Sequence, residues 1–304
     1  MAKMRVGYLG PEGSFSHEAV MSVEGIEPVA SLSIADLLAD VASGTLERAL
    51  VPLENALEGT VSATIDGLVF DHELVMVREI VLPIHLHLLA RAGVALDEVT
   101  SVRSYVHALA QARGLIQRLR VETVHTTSTS RAARDVAESN EPWAAIGSRL
   151  AGALFGLDVL EADVEDHPDN ATRFVVVGRG DVAAPTGHDR TTIVCFQDAD
   201  RPGSLYGILG RFAARDINLT KLESRPTKRG LGDYCFVIEF EGHVADDVVA
   251  DCLVDLQAHL ARVKFLGSYP VVGVGASDRR AEVADARASA SKWIDAIRAR
   301  VTRT

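Results

Sequence analysis

Along the first 180 residues, short apolar runs alternate with stretches whose apolar residues recur at helical spacing, and that alternation admits few folds. Residues 5–9 form one such run, followed by a helical pattern after His17. Residues 48–51 form another, followed by a helical pattern after Thr60. Further runs at 74–82, 101–105, 121–125, 143–146 and 174–177 have helical segments between most of them. The order predicts a mixed α/β unit of two lobes. Residues 181–190, with Pro185 and Gly187 among small and polar neighbours, break both periodicities and read as a linker.

Beyond it the periods change once more. A strand at 191–197 precedes a helical stripe of Leu205, Ile208, Leu209 and Phe212, and 219–225 is extended. Tyr234, Phe236, Ile238 and Phe240 alternate as in a half-buried strand. Val248, Val249, Cys252, Leu253, Leu256 and Leu260 give a second helix, and 263–269 a last strand. The order βαββαβ is that of a small ferredoxin-like unit. After Pro270, Val283, Ala286, Ala290, Trp293, Ile294, Ile297 and Val301 fall at helical spacing behind a cap at Ser277 or Asp278, an amphipathic helix suited to packing on its own chain or a neighbouring subunit.

Composition narrows the class of partner. A formal charge of −11 disfavours a broad footprint for nucleic acid or anionic membrane, while leaving room for an anionic small molecule held by local positive groups. No run approaches the length of a membrane helix, and the first residues lead into a strand rather than an apolar signal segment, so the expected address is cytoplasmic. Cys195, Cys235 and Cys252 are odd in number and lack the close Cys/His spacing of a zinc site, and they read as reduced core residues. His85 and His87 alternate with Ile84, Leu86 and Leu88, which suits one face of a strand at least as well as a ligand pair.

Four segments are candidates to carry the chemistry. GPEGSFSHEA, residues 10–19, places glycines and serines between a strand and a helix, with Ser16 available as a cap; it fits an anion-facing loop or an ordinary turn. VPLENALEGTVSATIDGL, residues 51–68, offers Asn55, a neutral donor and acceptor, then Gly59 and Thr60 at a helix start; an Asx turn is the alternative. TTSTSRAARDVAE, residues 126–138, masses five hydroxyl residues before a helix whose cap needs one; the surplus fits a polar pocket wall or a solvated surface loop. DHPDNATRFVVVG, residues 166–178, sets Asn170, Thr172 and Arg173 before a buried strand, where Thr172 taken alone reads as an ordinary strand-entry threonine. No nucleophile spacing, dinucleotide fingerprint or Walker pattern accompanies them, and a reaction on an anion without metal or cofactor is the expectation.

Taken in order, these segments together with VLPIHLHLL, AAIGS and FGLDVLEADVED resemble prephenate dehydratase. RPGSLYGILGRFAARDINLTKLESRP resembles the ACT domain that follows many of those enzymes; together the motifs span nearly all of residues 4–270. The resemblance implies a two-lobed fold like that of periplasmic binding proteins over residues 1–180, an ACT regulatory domain over 191–270, and a helical extension over 271–304. It implies a lyase that takes prephenate to phenylpyruvate in phenylalanine biosynthesis, with no cofactor and no metal. It carries the catalytic role to Thr172 and substrate contacts to Asn55, Ser104, Gln111, Ser128, Thr129 and Arg173. It implies phenylalanine as an effector, bound by Gly203, Ser204, Leu205, Asn218, Leu219, Glu223 and Ser224 across a subunit interface, and a homodimer or homotetramer. The chain departs from the family pattern where the usual ENS reads ENA, at Ala56, and where SHPQ reads Ser104, Tyr105, Val106, His107. It departs again where GALV reads Gly203, Ser204, Leu205, Tyr206. Arogenate dehydratase and a non-catalytic amino-acid sensor are the competing readings.

Overall fold

The computed structural model describes residues 3–197, 201–230, 232–272 and 292–300. The chain divides into two compact units, Met1–Asp181 and Val182–Thr304. In the first unit β1 (Met4–Leu9), β2 (Ile26–Ser31) and β3 (Arg48–Asn55) run parallel, linked by α1 (Phe15–Met21) and α2 (Ile34–Ser43). A two-residue strand β4 (Gly59–Thr60) folds back on β3 and leads into the short helix α3 (Ser62–Asp66). The chain then runs through β5 (Val75–Pro83) and crosses into a second sheet. That sheet holds β6 (His87–Arg91), β7 (Ser101–Ser104), β8 (Glu122–His125), β9 (Trp143–Gly147) and β10 (Leu157–Glu161), in the order β10-β6-β9-β7-β8. Its helices are α4 (Val106–Ala110), α5 (Arg113–Leu119), α6 (Thr129–Glu138) and α7 (Arg149–Phe155). Strand β11 (Ala171–Gly178) returns to the first sheet between β3 and β5, giving the path β2-β1-β3-β11-β5. Two crossings, 84–86 outward and 162–170 back, therefore connect the lobes.

Local chemistry accounts for most boundaries. Ser14, Ser33, Ser128 and Ser148 sit in extended backbone, and each accepts a hydrogen bond from the N–H three residues on, starting α1, α2, α6 and α7. The cap of α1 is thus Ser14, and Ser16, the cap expected from sequence, is buried within the first turn. Gly59 and Thr60 form a hairpin rather than a helix start, with Gly59 at φ 79°. The run from Phe174 to Gly178 is buried throughout because β11 is central in its sheet and covered on both faces. Sheet alternation also divides the second lobe's core. Leu88 packs with Val102, Leu109, Leu115 and Ile146, while its neighbour Leu89 packs on the other face with Ala133, Val136 and Ala145.

The second unit is β12 (Asp189–Phe196), α8 (Ser204–Ala213), β13 (Leu219–Pro226), β14 (Tyr234–Glu241), α9 (Asp247–His259) and β15 (Arg262–Pro270), the βαββαβ order read from the sequence. The sheet is antiparallel throughout, ordered β13-β14-β12-β15. Its core joins Ile193, Cys195, Ile238 and Phe240 to Ile208 and Phe212 of α8 and to Cys252 and Leu256 of α9. All three cysteines are buried and free, and burial pushes the Cys195 thiol up to about 12. In the tail, residues 292–298 are helical with Trp293 exposed; the expected cap at Ser277 or Asp278 and Val283, Ala286, Ala290 and Val301 lie outside the described residues.

Candidate active site

Parallel strands place their carboxyl ends on one rim of a sheet, where ligands of α/β folds collect. On the first sheet that rim carries the loop 10–14 after β1 and Asn55 at the end of β3, and antiparallel β11 brings its first residues to the same edge. On the second sheet it carries Ser104, the segment 126–128 after β8, and Ser148 after β9. The rims meet. The Ser148 hydroxyl donates to the Gly13 carbonyl at 2.9 Å, the Ser130 hydroxyl donates to the Glu12 carbonyl, and a Cβ on Gly13 would lie 2.9 Å from Ser130 Oγ. Gly13, at φ 79°, keeps that approach open.

At the centre of this rim Asn55 is bound from two sides. Its Oδ1 accepts the N–H groups of Leu57 and Glu58, both at 3.0 Å, which is the Asx turn read as the alternative. That pairing leaves the amide N–H groups facing the other way. Asn55 Nδ2 donates to Thr172 Oγ1 at 3.0 Å, to Asn170 Oδ1 at 3.0 Å and to the Ala171 carbonyl at 3.2 Å. Asn170 then donates to Gln111 Oε1 at 3.0 Å, and Gln111 Nε2 donates to Glu58 Oε1 at 3.2 Å. The other Glu58 oxygen lies 2.9 Å from His107 Nδ1. Thr172, Asn55 and Gln111 therefore share one hydrogen-bonded cluster that spans both lobes.

The remaining expected site residues are distributed differently. Ser128 caps α6, and Thr129 is nearly buried at its first turn, so both stand at the N-terminus of a ten-residue helix on the same rim. Ser104 is fully buried and donates to the Ile146 carbonyl at 2.6 Å. Arg173 is the neighbour of Thr172 on β11, and successive strand residues face opposite sides of the sheet. Its guanidinium lies 2.9 Å from Glu54 and 3.4 Å from Glu79, whose side chain is 2% exposed. The structure does not bring Arg173 to the amide cluster, and its charge is already matched by two carboxylates.

In residues 6–182 the chain matches the family model for prephenate dehydratase. The chain belongs to the prephenate dehydratase family. Residues 191–257 match the ACT domain. A prephenate dehydratase of Mycolicibacterium vanbaalenii is 38% identical over 284 residues, 87% of this chain and 90% of that one. The crystal structure of an Arthrobacter aurescens prephenate dehydratase in complex with L-Phe superposes with a TM-score of 0.87 at 37% identity, covering 97% of this chain and 99% of that one. GqqA, described as a novel type of quorum quenching acylase, shares the fold at 30% identity and a TM-score of 0.81, over 88% of this chain and 98% of its own.

Three members of the cluster in this prephenate dehydratase relative are assigned no contact by the sequence: Asn170 and His107, named there without a role, and Glu58. Asn170 is 2% exposed, a buried amide that must find partners and so marks a network, but burial is not visible in sequence. Glu58 carried no local signal, since an exposed carboxylate after a turn is ordinary. His107 stands where the family's SHPQ has its glutamine, a departure visible in the sequence without any partner to interpret it.

The expected effector residues fall at two ends of the second unit. Register pairs Phe196 with Cys235 and Cys235 with Arg225, so Ser224 lies at the β12 end from which the chain continues to Gly203. Ser204 Oγ donates to Gln197 there at 3.0 Å, and Gln197 and Ser224 both line a hollow of about 550 Å³. Asn218 and Leu219 lie at the opposite end, where Asn218 Nδ2 donates to Glu241 at 3.2 Å. Glu223 pairs along its strand with Arg225 and Lys221. The two ends are roughly 20 Å apart at about 3.3 Å per strand residue, so within one chain they do not meet.

Among the described residues, His85, Asp163 and Glu165 form one carboxylate–imidazole group, on the two crossings between the lobes. Glu165 accepts the Leu86 N–H at 2.8 Å and lies 3.0 Å from His85, so this group ties one crossing to the other. His87, beside it, accepts the Asp163 N–H. Burial, then the nearby charge of Arg149, holds the His87 imidazole below its ordinary value; Asp163 and Glu165 pull the other way and His85 adds to the lowering.

Proposed function

We propose that the chain converts prephenate to phenylpyruvate at the rim where Asn55 meets Thr172. The carboxylate on the ring leaves as carbon dioxide, the electron pair of that C–C bond enters the ring, and the ring hydroxyl departs with a proton as water. The product is aromatic, so the protein's task is to hold a dianion and stabilise the leaving oxygen. The observation that carries this reading, beside family membership, is the hydrogen bond from Asn55 Nδ2 to Thr172 Oγ1. A hydroxyl oxygen that accepts from an amide keeps its own hydrogen for another acceptor, and the leaving hydroxyl of prephenate is that acceptor. Thr172 is held by an amide rather than by a basic group, the wrong setting for an activated nucleophile of acyl transfer.

In this assignment Gln111 contacts the substrate beside Asn55, while Ser128 and Thr129 present the N-terminus of α6 to a carboxylate. Ser104 shapes the start of α4 through Ile146, and Arg173 supports β11 through Glu54 and Glu79. Phenylalanine, found in the Arthrobacter relative, is the effector, bound where Gly203, Ser204, Leu205 and Ser224 of one chain face Asn218 and Leu219 of another. The working form is then a homodimer or homotetramer with the catalytic region at 1–180 and the ACT region at 191–270. The buried free thiols suit the reducing cytoplasm.

The test is incubation with prephenate and, separately, with arogenate near neutral pH, following phenylpyruvate and phenylalanine against spontaneous decay. Prephenate turnover that survives a chelator is expected. Preference for arogenate reassigns the substrate, and binding of phenylalanine with turnover of neither reassigns the chain as a sensor.

A further inference from the structure

Glu58 closes a ring of hydrogen bonds. Its N–H donates to Asn55 Oδ1, Asn55 donates to Asn170, Asn170 to Gln111, and Gln111 back to the Glu58 carboxylate. Asn55 and Glu58 belong to the first lobe, Gln111 caps α4 of the second, and Asn170 lies on the return crossing between them. Each amide in the ring donates in the same sense. A side-chain amide can turn over and exchange donor for acceptor, so this common sense needs fixed ends. Two N–H groups supply one end, at Asn55 Oδ1. A carboxylate, which only accepts, supplies the other.

We infer that Glu58 is a positioning residue for the reaction: its carboxylate holds the Gln111 amide with Nε2 toward Glu58, so that Gln111 Oε1 faces Asn170 and the second lobe is held against Asn55 and Thr172. This rests on the proposed prephenate reaction. His107, 2.9 Å from the second carboxylate oxygen, is the other group that fixes the orientation of Glu58. The buried Asn170 makes the ring demanding. A turned Gln111 would set its N–H groups against those of Asn170, leaving a buried donor without an acceptor.

The test is a double-mutant cycle in the full chain with prephenate as substrate. Glu58→Ala is expected to lower kcat by about 10- to 100-fold, the cost of misplacing a reacting group by around 1 Å. Glu58→Gln keeps one oxygen that can accept from Gln111, with its N–H groups turned to the His107 side, and should recover part of that loss. In a Gln111→Ala background, Glu58→Ala should cost under about 2-fold more, since the carboxylate acts through that amide. Additive losses, or a Glu58→Gln variant as poor as Glu58→Ala with an unchanged melting temperature, would overturn the inference. A second readout needs no turnover. The side-chain amide protons of Gln111, followed by nuclear magnetic resonance, should exchange faster in Glu58→Ala than in the parent and in Glu58→Gln. Equal exchange in all three overturns the ring whatever the substrate proves to be, whereas failure of the parent to act on prephenate with exchange as expected overturns only the reaction.

Discussion

The Thr172 hydroxyl is placed by one amide and is left with one hydrogen to give, so its removal should act on the chemical step. Thr172→Val is expected to lower kcat by about 10² to 10⁴, the usual loss for a proton-transfer or oxyanion-type donor, with KM and melting temperature near the parent's. Thr172→Ser keeps the hydroxyl and should retain part of the rate; steady-state kinetics separate the two variants. Its neighbour behaves in the opposite way. Arg173 is a charged partner of a Glu79 side chain that is 2% exposed, and Arg173→Leu removes that positive charge from beside a buried carboxylate. The expected outcome is a loss of about 3–5 kcal/mol in denaturant unfolding. A stable variant with only a raised KM would return Arg173 to the substrate.

At the scale of elements, the two crossings between lobes are joined by His85, Glu165 and the pairing of Asp163 with His87. His87 is the member whose protonation the fold resists. Its folded value lies below the ordinary 6.5, so its neutral form favours the native state above that value, and this contribution is lost as pH falls through the depressed one. Melting temperature should therefore drop as pH falls below about 6.5, and His87→Gln, which accepts without titrating, should flatten that drop. Parallel pH curves for parent and variant would remove His87 from the balance. Glu18 works in the other sense: burial raises its carboxyl above the ordinary value and His85 lowers it in part, so its contribution favours the native state at low pH and fades as pH rises.

Whole molecules enter with the effector. The two halves of the expected phenylalanine site lie at opposite ends of the second unit's sheet, so a site that used both would have to draw them from two chains. A ligand held by two chains binds the assembly and not the single chain, so mass action links its affinity to association. Light scattering on dilute protein should show phenylalanine raising the mean mass, and calorimetry should show Asn218→Ala weakening the interaction. A mass unchanged by saturating phenylalanine, with full affinity at the lowest protein concentration, would place the effector within one chain.

The sequence by itself determined the features that depend on neighbours along the chain. The alternation of Tyr234, Phe236, Ile238 and Phe240 fixed a strand, the serine-rich segment before residue 131 fixed a helix start, and the order βαββαβ followed from changes of period. Ser16 lost the cap to Ser14 because the helix begins two residues earlier, at Phe15, where the Ser14 hydroxyl accepts the His17 N–H, and a boundary shift of that size is not resolved by periodicity. What only the tertiary structure decided are the meetings across long separations. Gln111 reaches Glu58 over 53 positions, Asn170 reaches Gln111 over 59 and Asn55 reaches Asn170 over 115. Those distances close because β11 inserts between β3 and β5 and because the second lobe docks its rim on the first. Side-chain partners of that kind carry no local period. The same reason explains Arg173: its side of the strand is legible in the alternation, but the buried Glu79 that claims it appears only once β5 lies alongside β11.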